Sequence, residues 1–183
     1  MSHPIKHYKT ITKHRHEVIK HCFKAGIPLQ GLRHDLSKYT PTEFIPGARY
    51  YFGDKSPNEG ERRDKGYSCA WMHHKGRNRH HFEYWTDYNP DTKVPEPVKM
   101  PLKYVAEMFC DRVAASKIYN PESYDDSFPL AYFEKAKGRR VIHPETSELI
   151  ENLLTMLKEK GEDETFSYIR KMLKDEKTKI KKM

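Results

Sequence analysis

From Ile5 to Ala25 the chain carries neither glycine nor proline, and Gly26 and Pro28 then close the run. A second such run extends from Leu102 to Tyr119, entered through Pro101. Long uninterrupted stretches opened by proline and stopped by glycine or proline predict helices. Strand-like alternation is scarce elsewhere, so the expected fold class is all-α. "TPTEF" predicts another helix, with Thr40 as N-cap, Pro41 at the first helical position and Glu43 closing a capping box, running to near Gly53. Tyr67, Ala70, Trp71 and His74 follow the i, i+3, i+4, i+7 spacing and predict a helix over Glu61 to Lys75, broken at Gly76 and Asn78. Helices are also expected over Phe128–Lys137, Pro144–Lys160 and Glu164–Lys174. The polar stretch "DKSPNEGERRDKG" reads as a mobile loop and the proline-rich Asn89–Pro101 as a connection.

At 183 residues the chain is long enough for one domain with a core of its own. An aromatic share of 12% separates it from disordered chains of comparable charge. No apolar run reaches the length of a membrane span, and the first residues hold no apolar signal core, so a protein outside the membrane is expected. Three widely spaced cysteines, Cys22, Cys69 and Cys110, argue against a disulfide framework and for a reducing, cytoplasmic setting. The net charge of +8 favours anionic partners. Part of it sits in the terminal run Lys171–Lys182, which reads as a solvated tail and leaves room for nucleic-acid binding.

Eleven histidines, crowded into the first half, are the unusual feature. On the first helix Ile5, Thr12, His16, Ile19 and Phe23 share one face, which places His16 inward and leaves His7, His14 and His21 solvated. On the helix from Leu102, Asp111 shares a face with Tyr104, Met108, Ala115 and Ile118, where an unpaired carboxylate is costly to bury. In "GLRHDLSKY", His34 lies directly against Asp35. Adjacent helical side chains diverge by about 100°, so the pair converges on one ion only where the backbone turns inward. The inward-pointing set is then His16, His34, Asp35, one histidine from each doublet (His73-His74 and His80-His81) and Asp111. Imidazole with carboxylate and no thiolate suits Mn, Fe, Ni, Co or Zn in a functional rather than a structural site.

The order histidine, histidine-aspartate, further histidines and a late aspartate, with "RHDLSK" at its centre, resembles the HD-domain superfamily of metal-dependent phosphohydrolases. "HDLSKY", "HHKGRNRHHFEYW" and "EMFCDRVAASK" resemble more closely an uncharacterised HD-like family, over roughly His16 to Lys117. The resemblance implies an HD-domain-like helical bundle with extra C-terminal helices. Residues 1–125 would form its metal-binding core, and residues 126–183 a helical extension with a basic tail packed on the same domain. It implies that His16, His34, Asp35 and Asp111 hold one metal. Asp35 bridges to a second where two are bound, with His74 and His81 completing that site and His73 and His80 as alternates.

The implied chemistry is hydrolysis of a phosphate ester by a water activated on one or two divalent ions. Lys38 would neutralise phosphate charge beside Asp35, and Glu83 would orient a ligand imidazole. Arg33, Arg77, Arg79 and Lys117 are further phosphate-binding candidates, and Tyr84 and Trp85 candidates for stacking on a base. The expected substrate is a nucleotide or other small phosphate ester. Two other readings fit: a di-iron oxygenase on the same fold, if both doublets supply ligands, and a nucleic-acid or partner-binding protein with a structural or vestigial metal site.

Overall fold

The computed structural model describes residues 2–53 and 55–180. It consists of α1 (Pro4–Ala25), α2 (Pro28–Arg33), a 3-10 turn at Leu36–Tyr39, α3 (Pro41–Arg49), α4 (Pro57–Lys65), α5 (Cys69–Arg77), a 3-10 turn at Phe82–Tyr84, β1 (Thr86–Tyr88), β2 (Pro95–Pro97), α6 (Leu102–Tyr119), α7 (Phe128–Glu134) and α8 (Pro144–Ile180). The fold is predominantly α-helical. No described helix is long and apolar enough to cross a membrane.

The two glycine-free runs form α1 and α6 with the expected bounds, and these two helices pack against each other at the centre. Val18, Cys22 and Ala25 of α1 and Val105 to Cys110, Val113 and Ala114 of α6 build the core, apart from Glu107 among them. Leu130 and Phe133 of α7 and Ile150, Leu153, Leu154, Leu157, Phe166 and Ile169 of α8 cover one side of it. Burying a side chain of this size contributes about 1.5–3 kcal/mol, so α7 and α8 belong to the same hydrophobic core as α1 and α6. The other side of α1 receives α2 and α3, and α5 packs on α3.

Several element bounds differ from the sequence expectation. The helix from Pro41 ends at Arg49 rather than near Gly53, and the one from Phe128 ends at Glu134. The stretch read as a mobile loop is largely α4, which has no apolar face to announce it. What holds it is Glu61, 1% exposed, whose carboxylate accepts hydrogen bonds from Ser68 Oγ at 2.7 Å and from the Ala70 amide at 3.3 Å. The following helix therefore starts at Cys69, where Ser68 Oγ accepts from the Trp71 amide, and it runs through Gly76 to Arg77. The connection from Asn89 lies in a short antiparallel ribbon, with Asp87 opposite Glu96. Two prolines in β2 confine it to a two-stranded edge structure. In α8, Gly161 adopts φ 78° and ψ 178°, open to glycine alone, and divides the two helical stretches expected there. The tail lysines Lys171, Lys174, Lys177 and Lys179 lie on this helix, while Lys181 and Lys182 lie outside the described residues.

Candidate metal centre

The face of α1 that turns inward is the opposite of the one expected. Its buried residues are His7, Ile11, His14, Val18, His21, Cys22 and Ala25, whereas Ile5 is 71% and Phe23 54% exposed. His16 is on the exposed side. The stripe at 7, 11, 14, 18, 21 and 25 has complete helical spacing, but it carries histidine at alternate steps. Weighing residues by apolarity alone selects the shorter outer stripe. The residue of α1 that joins the site is His14.

His34 and Asp35 both point inward because the chain leaves α2 through a turn. His34 is extended at φ −54° and ψ 128°, and Asp35 is left-handed at φ 54° and ψ 24°. Aspartate tolerates this region better than most residues. Arg15 of α1 fixes the turn, donating from Nε to the His34 carbonyl at 3.1 Å and from its guanidinium to the Leu32 carbonyl.

Two sets of ligand-type side chains meet at Asp35. One is His14, His34, Asp35 and Asp111, and the other is Asp35, His74, His80 and His81; within each set the ligand atoms lie within 4.8 Å of one another. His14 Nε2 is 2.9 Å from Asp111 Oδ1, and His34 Nε2 is 3.3 Å from Asp35 Oδ2 and 3.6 Å from Asp111 Oδ1. On the other side, His74 Nε2 is 3.3 Å and His80 Nε2 3.5 Å from Asp35 Oδ1. These atoms approach without the alignment of hydrogen bonds. His14 Nε2, His34 Nε2, His80 Nε2, His81 Nε2 and Asp35 Oδ1 are buried with no hydrogen-bond partner, while Asp35 Oδ2 meets the Lys38 ammonium. Unsatisfied buried polar atoms each cost about 1–3 kcal/mol, and a cation among them removes that cost. The residues present therefore fit one or two divalent ions.

A surrounding layer of carboxylates orients the imidazoles. Glu107 Oε1 lies 3.0 Å from His34 Nδ1 and 3.2 Å from His80 Nδ1, and its Oε2 accepts from Gln30 Nε2 at 2.9 Å. Glu43 Oε2 lies 2.7 Å from His74 Nδ1, and its Oε1 2.6 Å from His73 Nδ1. A proton held on Nδ1 toward the carboxylate leaves the Nε2 lone pair for the centre. Glu43 therefore turns inward rather than closing a capping box. His73 contacts the site only through it.

Electrostatics in the metal-free centre follow from burial among opposite charges. Burial opposes the charge on Asp35, but His34 and Lys38 outweigh it and hold the carboxyl well below its usual range. Burial likewise opposes protonation of His34, and Asp35 and Asp111 override it, raising the imidazole well above its ordinary value. His81 is pushed down by burial and by His80 and His74, against the weaker opposing pull of Asp111 and Asp35.

Of the ligands expected from sequence, His34, Asp35, His74, His81 and Asp111 come together, joined by His14 in place of His16 and by His80 beside His81. Lys38 is also there, with Nζ 2.6 Å from Asp35 Oδ2. Glu83 is not hydrogen-bonded to any of the imidazoles, and its buried Oε2 has no partner. Glu107 and Glu43 hold the role expected of it. Lys117 is taken up in ion pairs with Glu162 and Glu17 that tie α8 to the central pair. Arg33, Arg77 and Arg79 are exposed, and Arg79 lies over the Tyr84 ring. The Trp85 indole donates to the Arg79 carbonyl and packs on Tyr104, a structural rather than a stacking position. Glu107 lies one helical turn before Asp111 within an apolar run, a spacing that signals a second inward carboxylate.

With this geometry in view, comparison with known proteins places residues 3–156 on the model of a family of unknown function, DUF5662. The chain belongs to that family. The matched span includes all of the ligand-type residues above and ends within α8. No curated protein and no solved structure matches the chain.

Proposed function

We propose that this DUF5662 chain is a metal-dependent phosphohydrolase acting on a phosphate ester. One observation carries the reading: a buried aspartate shared by two ligand sets in which the Nε2 atoms of His14, His34, His80 and His81 have no hydrogen-bond partner. His14, His34, Asp35 and Asp111 would hold one ion, and Asp35, His74, His80 and His81 a second. Divalent ions in such a pair supply Lewis acidity and a water of lowered pKa as nucleophile.

The chain's own groups prepare the centre for an anionic substrate. Glu107 and Glu43 fix the tautomers and ring directions of His34, His80 and His74. Lys38, partly exposed and paired with Asp35, brings a cation to the edge of the cluster. It offsets phosphate charge; burial opposes its own charge, and Asp35 and Asp111 outweigh that and keep it protonated. The "RHDLSK" resemblance to HD-domain phosphohydrolases points to the same chemistry.

The test is metal content and phosphate release from a panel of phosphate esters, on wild type and Asp111→Ala loaded with Mn or Fe. Wild type is expected to retain metal and release phosphate, and the variant to lose both. A fully metal-loaded wild type that releases no phosphate from any ester sinks the proposal. A second reading, the di-iron oxygenase, gains from one observation: both histidine doublets contribute to the second set. Iron-dependent dioxygen uptake without phosphate release would favour it.

A further inference from the structure

A small cavity borders the metal cluster. It has a volume of about 80 Å³, and its walls include Lys38 and His74 of the cluster, Lys55, Ser56 and Asn58 before and within the first turn of α4, and Tyr119 at the end of α6. Its size is the first constraint. At the 10–15 Å³ or so that one water requires, it has room on the order of half a dozen such atoms, a phosphate group and little more. Pockets for drug-sized ligands begin at roughly 300 Å³.

Its chemistry is the second constraint. Two lysines face it together with hydroxyl and amide side chains. The carboxylate in its wall, Glu43, is already engaged by His73 and His74 at 2.6 and 2.7 Å. Thr10 and Tyr51 are hydrogen-bonded to each other at 2.8 Å and close the wall on the α1 side. Lys55 carries no ion pair among the described residues, unlike Lys38. The cavity thus joins an uncommitted cation, polar donors and the metal cluster in a space of anion size.

We infer that this cavity seats the phosphoryl group, with Lys55 and Tyr119 as its recognition residues, and that the substrate is a phosphomonoester with a small ester group rather than a nucleotide. The substrate's identity as an ester rests on the phosphohydrolase reading; the anion site does not. A wider cleft of about 830 Å³ lies against Lys55 and Ser56 and is lined by Arg49, Phe52 and Arg63. It contains none of the metal-cluster residues. It shares Lys55 and Ser56 with the cavity, so a nucleoside seated there would bring a nucleotide to the same phosphoryl site, and preferential turnover of nucleotides would overturn the small-ester class.

The experiment is calorimetric titration of metal-loaded wild type, Lys55→Ala and Tyr119→Phe with inorganic phosphate. It is paired with turnover of glycerol phosphate and other short-chain phosphomonoesters against nucleoside monophosphates. Wild type is expected to bind phosphate, and Lys55→Ala to bind it about tenfold more weakly, as loss of one charge-assisted contact implies, with metal content unchanged. Tyr119→Phe is expected to weaken binding by a smaller factor, and short esters to be turned over faster than nucleotides. Phosphate binding absent from wild type, or the same in Lys55→Ala as in wild type, overturns the anion site even if esters are hydrolysed. Faster turnover of nucleotides overturns the substrate class. Lys55-dependent phosphate binding with no ester hydrolysed keeps the site and removes the phosphohydrolase reading instead.

Discussion

Asp35 carries two burdens at once: a left-handed backbone and a carboxylate with both oxygens buried among imidazoles. Each is unfavourable alone, and a cation shared between the two ligand sets would offset the burial of the carboxylate. The residues around it divide sharply by which side of a helix they occupy, which makes a paired test possible on α1. His14→Ala is expected to lose metal from the first set, while His16→Ala, on the exposed side, keeps the wild-type metal content. Glu107→Gln retains the shape but weakens the acceptor for His34 and His80, and its metal affinity is expected to fall about 10–100-fold. Metal content by mass spectrometry, with competition against a chelator for Glu107→Gln, decides these. A His16→Ala protein stripped of metal, beside a His14→Ala protein that retains it, would reverse the assignment of α1's inward face.

At the scale of elements, the site depends on how closely α2 approaches α1. A Cβ added at Gly31 would lie 2.6 Å from Cys22 Cβ and 3.3 Å from the Ile19 Cα. Both neighbours sit on a packed helix and cannot rotate away. Gly31→Ala therefore pushes α2 outward, and with it the turn that presents His34 and Asp35. The expected cost is about 1–3 kcal/mol, together with weaker metal retention. Gly76→Ala is the control: nothing lies within 4 Å of its added Cβ, and alanine raises helix propensity by up to about 1 kcal/mol. Urea midpoints of the two variants should move in opposite directions; equal shifts would mean that the α1–α2 contact is not tight. This contact was not legible in the sequence, where Gly31 reads only as punctuation before "LRHD". The ends of α1 and α6 were legible, because glycine and proline act locally. The α4 helix was not, because side-chain hydrogen bonds from Ser68 and the Ala70 amide to the buried Glu61 hold it without an apolar stripe. The site residues followed the same division: His34, Asp35 and Asp111 stood out by adjacency or by breaking an apolar face, and Glu107 carries a readable signal in its spacing from Asp111, whereas His14 and Glu43 are identified only once the helices are packed.

Across the whole molecule the unusual quantity is the number of histidines kept neutral by burial. Desolvation, aided by Lys38, lowers His7 to about 4, and desolvation, aided by Lys117, lowers His21 to about 4. His14 is lowered as well, chiefly by burial. His21 shows the reason in its contacts, since Nε2 lies 3.2 Å from Lys117 Nζ and a proton there would face an ammonium. The unfolded chain takes up these protons near pH 6.5, and the folded chain takes up those of His7 and His21 only near 4, so the unfolded state binds more protons throughout that window. Stability of the metal-free protein is therefore expected to be intact above about pH 6.5 and to fall as pH drops toward 4. His7 alone accounts for on the order of 3 kcal/mol across the full window. Two other sets of groups act outside it. The depressed carboxyls of Asp35, Asp111 and Glu107 lose their contribution only below the ordinary carboxylate pKa of about 4. His34, raised above its ordinary value, changes the balance only above about pH 6.5, where its stabilisation is lost as pH rises through its folded value. Urea unfolding of chelator-treated protein at pH 7 and pH 5 tests this, with His7→Asn as the comparison. Wild type should lose stability on acidification and the variant distinctly less. Equal losses would mean that His7 is protonated in the folded chain, and that the inward stripe of α1 is open to water.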